Sequence, residues 1–165
     1  MRAVLLALVA LAFCVSHAPA QEPLQADEFV KKAAISNMMA IELGTLALQK
    51  SSSPEIKAFA HQAVNDRTTA GTGLRQIVAK RSGIALPERP DQAHQDILRQ
   101  LGDKQGPEFD RAYVAAQKQA QDEAMALFSG YAQTGSDAEL KGFASKSLPL
   151  LQAQGELTRK LPGAD

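Results

Sequence analysis

The stretch PEIKAFAHQAVNDRTTAGTGLRQIVAKR, from Pro54 to Arg81, sets Ile56, Ala60, Ala63, Arg67, Ala70 with Gly71, Leu74 and Val78 three or four positions apart. Residues so spaced share one face of an α-helix, because each residue advances the helix by about 100°. Pro54 suits the first turn, where its missing N–H has no intrahelical partner to lose, and Glu55 adds the negative charge that a helix start favours. Ser82-Gly83, Pro87 and Pro90 then end the pattern. A helix with one apolar stripe has to bury it against other elements, and the flanking sequence offers only more helices.

Upstream, a long helix is predicted from Asp27, placed to cap it, to Lys50, where Ser51-Ser52-Ser53 breaks it. Downstream, a short helical piece from Asp91 to Leu101 carries Ile97, Leu98 and Leu101 within the longest connection, which Gly102 to Pro107 closes. A further long helix is predicted from Glu108 to Gln133, and a last one from a cap at Ser136 or Asp137 to Lys160. Pro149, inside that last helix, removes a backbone hydrogen bond and is expected to kink it. No strand-like alternation stands out, and alanine, leucine, glutamine and lysine favour helix. Short links make the first pair and the last pair antiparallel hairpins. The fold class is therefore all-α: a four-helix bundle with a crossover containing a short extra helix.

The N-terminal end reads differently. Arg2, an apolar run from Ala3 to Val15, and Ala18-Pro19-Ala20 follow the order of a cleavable secretory signal over residues 1–20. The run is shorter than the roughly 20 apolar residues that a spanning helix needs, and no later stretch approaches that length. Residues 21–165 are expected to form a single domain in the periplasm, with no transmembrane segment in the mature chain. Cys14, the sole cysteine, would leave with the signal, and Phe13 before it argues against a lipid attachment site. The mature domain then relies on burial and packing rather than disulfides. Lysine plus arginine equal aspartate plus glutamate at 18 each, so the chain has neither the basic footprint of a nucleic-acid binder nor a polybasic membrane patch.

The informative residues are polar ones that fall on the apolar stripes. Arg67 interrupts the Pro54–Arg81 helix, and spacing allows it either to lie in the core or to run its stem along the surface and reach water. Gln154 falls on the last helix with Phe143, Ser147, Leu150, Leu157 and Leu161. Gln117 and Gln121 interrupt Tyr113, Ala124, Phe128 and Tyr131, a face that is either buried or half exposed. Glu42 has Met38, Met39, Thr45 and Leu46 as helical neighbours, and a buried or a solvated carboxylate fits that spacing equally. His61 lies beside its stripe, as a boundary or surface residue, and His94 sits with Asp91 and Asp96 in the crossover. Neither histidine has a nucleophile that spacing nominates, and there is no glycine-rich phosphate loop. No catalytic residue and no cofactor is therefore assigned.

Several segments together resemble a family of exported bacterial proteins known as domain of unknown function 4142, which is regarded as ferritin-like. They are DEFVKKAA (27–34), IELGTLALQKSSSPEIKAFA (41–60), LPERPDQAHQDIL (86–98), EFDRAYV (108–114), ALF (126–128) and DAELKGFASKSLPLL (137–151). The resemblance implies a ferritin-like bundle with a core metal site made of a glutamate on the first long helix and a histidine on each of the other three. Carried over, the glutamate is Glu42, and the histidines fall on Arg67 in NDRT, Gln121 in QDEA and Gln154. All three are replaced, and a permanent cation repels a metal ion. The expected site is thus a core polar cluster of Glu42, Arg67, Gln121 and Gln154 in which Arg67 pairs with Glu42, the glutamines complete the hydrogen bonding, and no metal is held. The expected function is non-enzymatic binding or interaction, or a role in envelope stress, with a small ligand or a protein as partner. Two alternatives stand beside it. One is a ferritin-like oxidoreductase or metal-storage protein using Glu42 with Asp66, His61 or Asp122. The other is a bundle opening on Met38, Met39 and Met125 to take an apolar ligand or partner helix.

Overall fold

The computed structural model describes residues 24–163, and the expected signal segment lies outside them. The described residues form five helices and no strand: α1 (Ala26–Lys50), α2 (Pro54–Val78), α3 (Gln92–Gly102), α4 (Gly106–Thr134) and α5 (Ala138–Thr158). The architecture is the all-helical bundle expected, with four long helices and α3 in the crossover.

Local chemistry sets most of the ends. Ser53 caps α2 by accepting from the Ile56 N–H at 3.2 Å, with Pro54 in the first turn. Asp91 caps α3 through the His94 N–H at 3.1 Å, and Asp137 caps α5 through the Leu140 N–H at 2.9 Å. The cap expected at Asp27 is not one. Gln25 occupies the N-cap of α1 without a capping side-chain bond, and Asp27 falls inside the first turn, where its charge meets the positive helix end. α2 stops at Val78, short of the Arg81 expected, and Gly83 follows in a left-handed conformation at φ 88°. Arg81 is used elsewhere: its guanidinium grips Asp137 in two bonds of 2.6 and 2.8 Å and reaches Glu139 at 3.2 Å, tying the end of α2 to the start of α5. α5 is continuous through Pro149.

α1 packs on α2 and α4, and α5 packs on α4 and α2, so the long helices form a ring in which α2 and α4 are diagonal; α3 lies against α4 and α1. Two apolar clusters fill the interior. One gathers Met39, Leu43, Ala47, Ile56, Phe59, Leu98, Phe109 and Tyr113. The other gathers Phe29, Val30, Leu74, Phe128, Tyr131, Leu140 and Leu151, with the Phe29 and Tyr131 rings stacked at 3.9 Å. Burial of side chains of this size contributes about 1.5–3 kcal/mol each. Gly44 lets α1 and α2 approach closely, since a Cβ there would meet Val64 Cγ2 at 2.6 Å and the Ala60 carbonyl at 3.2 Å.

The α5 stripe differs in phase from the one predicted. Leu140, Ala144, Leu151, Gln154, Gly155 and Thr158 are buried, while Phe143, Ser147 and Leu150 are half-buried and Leu157 is 37 % exposed. Leu148, Leu150, Leu151 and Leu157 lie all round this helix, so hydrophobicity alone could not phase it.

Candidate functional site

Between the two apolar clusters the helices carry polar side chains. On α2 the clusters are separated at Arg67, on α4 at Gln117 and Gln121, and on α5 at Gln154. All four are buried, with Arg67 5 % and Gln154 1 % exposed. The half-exposed α4 face allowed by spacing is thus a buried one.

Gln121 is the hub of this layer. Its Oε1 accepts from Arg67 Nη2 at 3.0 Å, and its Nε2 donates to the Leu151 carbonyl of α5. Gly155 of α5 lies alongside it, where a Cβ would make ordinary van der Waals contact with Gln121 Cγ at 3.4 Å. Gln154 Nε2 donates to Asp66 Oδ2 at 3.2 Å. Arg67 Nε, Gln117 Oε1 and Gln154 Oε1 are buried without a protein partner. Loss of hydration lowers the Arg67 pKa to about 10, with nearby Asp66 opposing the shift, so the guanidinium is charged at neutral pH.

Glu42 does not join this layer. Its side chain is exposed, and the Arg67–Glu42 ion pair expected from the family positions does not form. Helix geometry gives the reason: Ala33, Ala40 and Ala47 face inward along α1, and Glu42, two residues past Ala40, is turned about 200° from that line. The α1 residue that lies beside Arg67 is Asn37. The carboxylate that Arg67 feels is Asp66, its neighbour in sequence, half-buried and named beforehand only as an alternative metal ligand. Gln117 stood on the predicted stripe, but nothing in its spacing distinguished it from Gln121.

A divalent metal does not fit this donor set. A fixed guanidinium charge occupies its centre, and its other side chains are neutral amides, poor ligands beside a cation. The alternative ligands do not converge either. His61 and Asp122 are exposed, and among the described residues no three His, Cys, Asp or Glu side chains form a metal-binding group. Met39 belongs to one apolar cluster, Met125 packs against the other, and Met38 is half-buried.

A second feature lies on the surface. A groove of about 470 Å³ is lined by residues of α1, α3 and α4, with Ile35, Ala126 and Leu127 as its apolar wall. His94 sits at its edge, with Nδ1 2.6 Å from Asp91 Oδ1 and Nε2 3.8 Å from Glu123 Oε2. His94 is thus a helix-start residue, and His61 a surface one that meets Asn65 at 3.3 Å.

Comparison with known proteins agrees with the fold. CopM in its Cu(II)-bound form superimposes with a TM-score of 0.68 at 18 % identity, over 81 % of this chain and 93 % of that one. CopM in its Cu(I)-bound form gives 0.67 at 17 %, over 82 % and 94 %. A putative secreted protein of the DUF305 type from Streptomyces coelicolor gives 0.67 at 13 %, over 82 % and 89 %. Identities this low show a shared fold alone. No curated protein matches the chain. The model of the family described as domain of unknown function (DUF4142) matches residues 14–161, and the chain belongs to that family.

Proposed function

We propose that this protein is an exported, non-enzymatic helical bundle that acts by binding or structural interaction in the periplasm, with the Arg67 cation standing where its relatives' core would hold a metal ion. The observation that carries this reading is the bond from Arg67 Nη2 to Gln121 Oε1 at 3.0 Å, which commits two of the carried-over ligand positions to each other. Support for export comes from Arg2, the apolar run to Val15 and Ala18-Pro19-Ala20. Among the described residues no helix is long and apolar enough to cross a membrane.

The test is fractionation of cells producing the full chain, metal analysis of the purified protein, and melting with and without iron, manganese, zinc or copper. Copper is included because the similar CopM was solved in copper-bound forms. The reading expects the protein in the periplasmic fraction, metal well below one equivalent, and an unchanged melting temperature. About one tightly held ion that raises the melting temperature would favour the ferritin-like oxidoreductase or metal-storage alternative, since a ligand bound to the folded state alone must stabilise it.

A further inference from the structure

Arg67 brings a full positive charge into the core, and its protein contacts do not balance it. Nη2 is bonded to a neutral amide, and Nε is buried with no protein partner. Asp66 is half-buried on the adjoining face of α2 and already accepts from Gln154. A buried charge without a close counter-charge is costly enough that cores seldom carry one.

Beside the guanidinium lies a cavity of about 20 Å³, room for one atom of water size or slightly more. Its polar lining is Arg67, Asn37 and Ser147, and no carboxylate reaches it; the rest of the wall is apolar or glycine. Asn37 comes from α1, and Gly71 opposite is what admits it, because a Cβ at position 71 would lie 2.5 Å from Asn37 Nδ2. Ser147 spends its hydroxyl proton on the Phe143 carbonyl at 2.9 Å. A small space with a cation and an amide on its wall, mostly apolar elsewhere and lined by a guanidinium whose Nε has no protein partner, has the chemistry of an anion site. Half-buried Ala70, Ser147 and Leu150 form its outer side and give a short way in from solvent.

We propose that this cavity binds a monovalent anion of halide size, held by the Arg67 guanidinium and the Asn37 amide. The inference rests on Arg67 being the core's own cation. The ion completes the layer by supplying the negative charge that Glu42, turned to solvent, does not.

The experiment uses the full chain. Crystals are soaked in sodium bromide for anomalous diffraction, and melting is followed in sodium chloride or bromide against sodium gluconate, too large for the cavity, at constant pH and ionic strength. The expected result is a bromide peak in the cavity against Arg67 and a saturable halide-dependent rise in melting temperature. Gly71→Ala, which displaces the Asn37 amide and leaves Arg67 in place, should weaken halide binding about tenfold, the loss of one hydrogen bond to a charged group. Arg67→Gln should abolish the halide response. Density for water alone, identical melting in halide and gluconate, or a halide response unchanged in both variants would each overturn the proposal. Failure of the underlying reading has a separate signature: a metal-dependent rise in melting temperature without any halide effect.

Discussion

Arg67 on α2 and Gln121 on α4 meet across the diagonal of the bundle, Nη2 donating to Oε1 at 3.0 Å. The other end of the same amide donates to the Leu151 carbonyl, so one glutamine side chain joins three helices. An amide does this because it offers an acceptor and a donor in one rigid plane. The polar layer so formed divides the apolar core in two, and polar groups held in this way tie the helices to one relative register.

Glu42 provides the sharpest contrast with the family positions. Because its side chain is exposed and unpaired with Arg67, Glu42→Ala is expected to change the unfolding free energy by no more than about 0.5 kcal/mol in urea titration. A loss of about 3 kcal/mol or more would mean that a buried ion pair exists after all.

At the α1–α2 contact, Gly44→Ala is expected to lower stability by about 1–2 kcal/mol, although alanine is the better helix former. The added Cβ would meet the stiff, β-branched Val64 at 2.6 Å and a backbone carbonyl at 3.2 Å, neither of which yields easily. A thermal melt of the variant decides the sign.

The Arg81–Asp137 grip should be visible in acid. Bonding to Arg81 is the main cause that lowers the Asp137 pKa from 3.8 to about 2. A carboxylate with a depressed folded-state pKa adds stability that is complete above its unfolded pKa and is lost as pH falls from about 4 towards 2. With Asp137 27 % exposed, solvent screening reduces this contribution to about 1 kcal/mol. Asp137→Asn keeps a capping oxygen and should flatten that part of the acid limb, as followed by stability against pH. An unchanged acid limb in the variant would show that the grip adds nothing.

Particular residues show how much was legible beforehand. On α2 the predicted stripe is buried except for half-buried Ala70, with Phe59 buried beside it, because Ile56, Ala60, Ala63 and Leu74 leave one choice of phase. That phase puts Arg67 in the core rather than at the surface, an alternative its spacing had left open. On α4 the aromatic residues Tyr113, Phe128 and Tyr131 phase the helix, but two glutamines in the stripe left a half-exposed face open, and the structure buries both Gln117 and Gln121. On α5 too many leucines surround the axis, so the stripe that held Gln154 also held Phe143, Ser147, Leu150 and Leu157, which are half-buried or exposed, while Gln154 itself is buried. Glu42 misled because a sequence position carries identity but not direction, and its angle from Ala40 outweighs its place in a motif. Pairing was the least legible feature. Which acceptor Arg67 finds depends on the rotation of three helices, which no single stripe encodes.

The most direct test of the polar layer is a double-mutant cycle on Arg67→Met and Gln121→Leu, read from urea unfolding at pH 7. Gln121→Leu alone is expected to cost about 1–3 kcal/mol or more by leaving the buried guanidinium without its acceptor, and Arg67→Met in the same chain should recover most of that loss. A coupling energy of about 1–3 kcal/mol is the predicted result, and effects that add within about 0.5 kcal/mol would contradict it.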